Sequence, residues 1–277
     1  MYSKSLIFPK QTRCFLVMTI AVILVAINVP SVSAEEKNNE NGGWEFQVVP
    51  YMWFISASGD ITVRGQKADL DLSFSDIWNE LNIAGMLAFE GRKNRWGFYG
   101  DMIAANLGHS TTVGGLKIDP TAKMAYLTAG GFYRLGTWGL SDASTNEVST
   151  VTVDVFGGAR YTYLDMEFNF KNLPLPDVSD DKDWVDPLIG TRAIFNLSEQ
   201  WALSLDGSIG GFGVGSDFAW NAVGLIGYRF GLFEKDNATF FGGYRAMYQD
   251  YTDGSGNDKF EWDVTLHGPI LGLAIRF

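Results

Sequence analysis

Cysteine is all but missing from this chain, with Cys14 the only one. A lone cysteine excludes a disulfide framework and any Cys-built metal centre. Histidine is nearly as scarce, with His109 and His267 alone, which leaves little for His-ligated metals or His-dependent catalysis. Basic residues fall short of acidic ones: 21 Lys+Arg stand against 32 Asp+Glu, a formal net charge of −11. Nucleic acid selects a basic face, so that partner is excluded. After residue 34 no long apolar run occurs, so no transmembrane helix is expected there.

The apolar run that does exist lies at the start. Lys4, Lys10 and Arg13 precede "CFLVMTIAVILVAINV", and small residues stand at Val32 and Ala34. A basic segment, a short apolar core and small residues before the cut describe a secretory signal peptide, 1–34, cleaved after Ala34. A retained membrane anchor would need about 20 apolar residues. Cys14 lies ahead of the apolar core, where a lipid-bearing cysteine does not belong. Cleavage would leave a short polar segment, 35–43, on a chain more acidic still and free of cysteine. Its stability must then come from packing, hydrogen bonds or a membrane.

From residue 44 onward the pattern is alternation. Ten runs have a dyad period and are bounded by Gly, Asn, Asp, Ser or Pro: 44–57, 80–92, 95–108, 119–135, 148–166, 184–197, 199–213, 217–231, 237–251 and 258–277. Strands of soluble domains cluster near 5–6 residues, whereas about 9–11 cross a bilayer at a tilt. One parity is apolar and the other carries the charge. In 148–166, Val151, Val153, Val155, Tyr161 and Tyr163 alternate with Thr152, Asp154, Arg160 and Thr162. The mid-run cations are nearly all Arg, unlike the Lys-rich solvent face of a soluble sandwich. Trp44, Trp96 and Trp201 fall at one end of the runs on the apolar parity, and Trp220 and Trp262 near the other. Two aromatic girdles suit the two membrane–water interfaces.

The expected fold is therefore all-β, a transmembrane antiparallel up-and-down barrel of about ten strands occupying 44–277. Twelve strands is the alternative if "DITVRGQ" and "KADLDLSF" join the wall. Backbone groups in hydrocarbon must all be paired, so the sheet must close. Parity assigns to the lumen Glu45, Gln47, Tyr51, Trp53, Glu90, Arg92, Tyr99, Asp101, Asp154, Arg160, Asp186, Arg192, Asp206, Arg229, Arg245, Glu261, Asp263 and Arg276. Opposed charges in a narrow bore either cross-link its walls or form the constriction of a diffusion channel. The ten candidates for that role are Glu90, Arg92, Asp101, Asp154, Arg160, Asp186, Arg192, Asp206, Arg229 and Arg245.

In "LSFSDIWNEL", Phe74, Ile77, Trp78 and Leu81 share a helical face, and Ser73 or Ser75 suits the cap. This outer connection, 58–79, is expected to be a plug in the mouth or a lid on the rim. Leu81 could instead begin the next strand. Catalytic constellations are thin: His109, Asp250 and Asp253 are the only rim set, and His267 falls on the lumen parity with Thr265 and Asp263. "GGFGVG" at 210–215 lacks the following helix and Lys of a phosphate loop and reads as a strand end and turn. The acidic segments 176–186 and 250–263 have oxygen ligands suited to hard cations, yet solvated charge is their ordinary meaning. No metal, cofactor or catalytic residue is assigned.

The chain finishes on "HGPILGLAIRF". Leu271, Leu273, Ile275 and Phe277 share one face, and Gly272, Ala274 and Arg276 the other. From Phe260 to Leu266 the apolar residues are even-numbered, so the phase slips across Gly268 and Pro269. A β-bulge at 267–270 is the expected device.

The export signal, girdles, alternation and terminal "ILGLAIRF" together resemble Gram-negative outer-membrane β-barrel proteins. That resemblance implies an outer-membrane location, contact with lipid and lipopolysaccharide, and recognition of Leu271, Leu273, Ile275 and Phe277 by the barrel-assembly machinery. More narrowly, "PYMWFISASGDITVRGQKADLDLSFSDIW" with "LAFEGRKNRWGFYGDM" looks like a group of small porin-like barrels, which implies no particular activity. The expected function is a narrow porin-like channel for small solutes or ions. A structural or surface-binding barrel is the alternative, and an enzyme is a more distant third.

Overall fold

The computed structural model describes residues 43–108, 111–113, 116–140, 149–170, 178–232 and 235–277. The signal-peptide reading and His109 lie outside them. In chain order the strands are β1 (Glu45–Trp53), β2 (Ser56–Val63), β3 (Gln66–Leu72), β4 (Leu81–Lys93), β5 (Trp96–Gly108), β6 (Thr111–Val113) and β7 (Leu116–Gly139). They continue as β8 (Thr150–Phe170), β9 (Val178–Asn196), β10 (Trp201–Gly211), β11 (Phe218–Leu232), β12 (Lys235–Asp253) and β13 (Phe260–Arg276). One helix, α1 (Phe74–Glu80), joins β3 to β4.

Ten of these strands form a closed antiparallel ring in the order β1-β4-β5-β7-β8-β9-β10-β11-β12-β13, and β13 pairs back onto β1. They match the ten alternating runs of the sequence one for one. Closure is completed at the chain end, where Phe46 and Phe277 exchange both backbone hydrogen bonds at 3.0 Å. The segments weighed as eleventh and twelfth wall strands form instead a hairpin, β2–β3. It adds to the sheet along the upper half of β13, from Glu261↔Thr62 to His267↔Ser56. "Upper" here means the end away from Glu45 and Phe277.

Alternation explains the wall, but its polarity inverts with height. In the lower half the outward residues are apolar, among them Trp96, Phe98, Met102, Leu127, Ile189, Leu205, Ile226 and Leu271, all exposed. The inward residues there include the charged and polar set, together with the buried Phe132 and Phe241. In the upper half Ile103, Leu164, Trp184, Phe260, Trp262, Val264 and Leu266 are buried inward, while Lys123 and Asp165 meet each other on the outside at 2.8 Å.

This inversion corrects the reading of the last strand. Pairing of β12 with β13 runs without a register shift from Asp253↔Phe260 to Ala238↔Ile275, so 267–270 holds no bulge in that ladder. Even-numbered residues point inward along all of β13. What changes across Gly268 is which face is apolar. Trp262 is accordingly a core residue, 3% exposed, and not part of an aromatic girdle. Glu261, Asp263, Thr265 and His267 face outward, not into the lumen; His267 Nδ1 meets the exposed Tyr244 hydroxyl at 2.7 Å. On its other side β13 likewise keeps one register, with β1 to Trp53↔Ile270 and with β2 from Ser56↔His267, and only Phe54 and Ile55 stand between the two strands. The Phe54 N–H carries the ladder across this short interval by donating to the Pro269 carbonyl at 2.8 Å.

Candidate functional site

The lower bore is crossed by paired charges. Arg192 on β9 donates to Glu90 on β4 (2.7 Å) and to Asp206 on β10 (3.3 Å). Because β4 and β9 stand on far sides of the ring, this contact spans the lumen. A second bridge runs from Arg245 on β12 to Asp101 on β5 at 3.0 Å. The Tyr51 hydroxyl joins it, donating to Asp101 at 2.6 Å, and Arg245 also reaches Tyr51 (3.2 Å) and Asn221 (3.0 Å). Its guanidinium lies 4.9 Å from the ring centre of Trp53. Half-buried ions demand partners, and the planar Arg fork supplies several at once.

The other lumen candidates extend this layer. Asp154, 1% exposed, accepts two bonds from Arg134 at 2.8 and 3.2 Å, and Arg160 donates to the Thr128 hydroxyl at 3.3 Å. Asp186 collects Ser216 N–H (2.6 Å), Ser216 O–H (2.8 Å), Gln249 (2.8 Å) and Trp184 (3.2 Å). It thereby ties the "GGFGVG" turn to the wall. At the lower rim Arg92 pairs with Glu45, and Arg229 reaches Asn196.

Above this polar layer lies a cavity of about 640 Å³, within the usual size of a small-molecule site. Trp53, Ile55, Ile61, Leu70, Trp262 and Leu266 form one side, and Met86, Met124 and Met166 face them. Methionines adapt their shape to what they touch. Helix α1 covers part of the opening. Ser73 caps it, in a reciprocal box with Asp76. Phe74 packs edge-on against Phe54 (5.1 Å) and lies 5.5 Å from Trp78. Of the residues expected on its inward face, Phe74, Ile77, Trp78 and Leu81 all line this cavity, although none is fully buried. Leu81 is already the first residue of β4. The polar rim consists of Asp76, Asn79 and Glu80. Hydrogen bonds from the Ser73 side chain and backbone hold the Asp76 carboxyl below the ordinary aspartate range, so this carboxylate of the rim stays anionic.

Parity reasoning did not assemble this cavity: it placed Tyr51 and Trp53 in the lumen but assigned Trp262 and Leu266 of the last strand to the outside. A signal was present. In 148–166 the odd positions are apolar up to Tyr163, but Asp165 and Glu167 continue the same parity. Among the described residues no cluster of His, Cys, Asp and Glu could hold a metal ion.

Neither a family model nor a curated protein sequence matches the chain. Solved structures do. Ail, the attachment invasion locus protein of Yersinia pestis, is 15% identical over 85% of this chain and 99% of its own, with a TM-score of 0.34. The translocator domain of autotransporter NalP from Neisseria meningitidis is 12% identical over 99% and 100%, also at 0.34. A Pseudomonas aeruginosa FadL homologue is 9% identical over 84% and 90%, at 0.27. All three are Gram-negative outer-membrane β-barrels. At these scores the likeness carries no argument about what this chain does, and its barrel class rests on its own strand pairing.

Proposed function

We propose that this chain is an integral β-barrel of the Gram-negative outer membrane that binds a small, neutral, apolar molecule in its upper cavity and is not an open diffusion pore. The observation that carries the reading is the stacking of an apolar cavity of about 640 Å³ on a bore bridged by Arg192–Glu90 and Arg245–Asp101. Membrane residence is supported by the outward apolar band and by the exposed Trp44, Trp96 and Trp201 at its lower edge, where a membrane interface favours aromatic rings. In this reading the signal peptide exports the chain, and Leu271, Leu273, Ile275 and Phe277 present it to the assembly machinery. The upper end faces outward, against lipid and lipopolysaccharide.

Neutrality of the ligand follows from the lining. Arg245 at the floor is engaged by Asp101, and the rim carries Asp76 and Glu80. An anionic ligand would meet carboxylates, and a cation would lose its water to an apolar wall.

The test uses the whole barrel in lipid nanodiscs with 1-fluoronaphthalene as probe. A saturable bound fluorine resonance, distinct from the lipid-dissolved signal, is expected, with its loss in Ala122→Trp and Ala84→Phe, which fill the cavity. No bound resonance in the native protein overturns the reading. The charge lining the bore favours a second reading, a narrow ion or solute channel. Discrete conductance steps from the native protein in a planar bilayer would support it.

A further inference from the structure

Among the described residues the barrel wall is incomplete beside the upper part of β4, and the cavity lies behind it. Strand β1 follows β4 only as far as Pro50↔Leu87. Beyond that point β1 stays with β13, so along Leu81–Met86 no strand pairs with β4 on this side among the described residues. On the facing bank β3 is the free edge of the hairpin. The Trp53 N–H, which an unbroken ladder would pair with a carbonyl, meets the Met86 sulfur at 3.1 Å instead. Sulfur is a weak acceptor, and an unpaired strand edge at membrane depth is costly unless it lines a cavity or is covered by protein.

The lining shows where the cavity leads. It includes the inward residues Tyr51 and Trp53 of β1 and Ala84 and Met86 of β4, and also the outward residues Pro50, Met52 and Gly85 of the same strands. A space bounded by both faces of two parted strands passes through the wall between them. Its height is fixed by register. Gly85 pairs with Ala104, and on the same strand Trp96 marks the lower aromatic edge. At about 3.3 Å per residue and a tilt of roughly 40°, the gap lies about 20 Å above that edge, inside an apolar band about 25 Å tall. Exposed Ile83 and Leu87 flank it on β4, so apolar side chains border the opening on its outer face.

We infer that the seam between β1 and β4, fronted by α1, is a lateral portal through which a neutral apolar molecule passes between the cavity and the outer leaflet of the bilayer. This rests on the binding role proposed for the cavity. Gly85 stands at the mouth, and a Cβ added there meets nothing within 4 Å. Gly85→Trp can therefore narrow the passage without displacing the wall, and Met52→Trp narrows it from the other bank.

Exchange spectroscopy on the fluorine signals of 1-fluoronaphthalene in nanodiscs measures transfer between lipid and cavity directly. In Gly85→Trp and Met52→Trp the bound population is expected to persist while exchange slows by about tenfold or more. Ala222→Trp, on the outward face of β11, should exchange at the native rate. Native exchange rates in both mouth variants, with binding intact, overturn the portal and leave the cavity reading standing. Absence of any bound signal in the native barrel removes both.

Discussion

Glu90 and Arg192 stand four strands apart in a ten-strand ring, yet their side chains meet across the bore at 2.7 Å. That contact, with Arg245–Asp101, braces the lower lumen from opposite walls. Both members of the Glu90–Arg192 pair are only about a fifth to a quarter exposed. Glu90→Gln should therefore cost roughly 1–3 kcal/mol, between a surface pair and a fully buried one. Urea unfolding in lipid vesicles reads this. Arg192→Ala combined with Arg245→Ala should also give larger conductance steps in a planar bilayer than the native protein does.

The inversion of polarity with height predicts position-dependent tolerance on the outer face. Leu127 lies mid-band, exposed and outward, six positions above Tyr133, the partner of Trp96. Thr265 is also outward, but beside Asp263 on the upper half of β13. Leu127→Arg should cost about 2–4 kcal/mol and Thr265→Arg about 0–1 kcal/mol, the difference between midplane and interface. Equal costs in vesicle unfolding would contradict the placement of the band.

Acidic residues above the band give stability a pH signature of both signs. Burial, then Asp263, Asp217 and Glu261, push the Asp250 carboxyl up. A raised carboxyl favours the protonated fold, so its stabilising contribution is present below the ordinary aspartate range and is lost as pH rises through the shifted value. Asp253 is the opposite case: the Lys182 ammonium hydrogen-bonds it at 2.7 Å and holds it low. Its contribution is present above the ordinary range and is lost as pH falls through the lowered value. Asp250→Asn should raise the unfolding midpoint at neutral pH and have little effect in acid. Asp253→Asn should lower it at neutral pH and likewise fade in acid.

The hairpin that walls the cavity depends on one close approach. Gly59 has φ of 137°, and a Cβ there would lie 2.1 Å from the Asp263 carbonyl oxygen. Gly59→Ala should cost about 2 kcal/mol or more and weaken probe binding by loosening β2 from β13. Gly207→Ala, where nothing lies within 4 Å, is the neutral control. Both effects are read in one set of samples, by unfolding midpoint and by the bound fluorine signal.

Alternation over ten long runs determined the barrel from the sequence alone. A period of two, kept over that length, allows only a two-faced strand, and hydrocarbon forces two-faced strands to close. The terminal set Leu271, Leu273, Ile275 and Phe277 was readable for the same reason. Pairing was not. Parity puts Glu90 and Arg192 inward but is silent on their meeting, which depends on the ring order and the height of each strand. Nor does alternation say which face meets lipid. Trp262 and Leu271 both follow a strict dyad pattern, but Trp262 sits above the band, where water lies outside and the apolar face must turn in. Height relative to that band is a property of the closed sheet. The cavity and its seam belong to the same level, because they exist only where β1 leaves β4 to follow β13, and no local pattern records that departure.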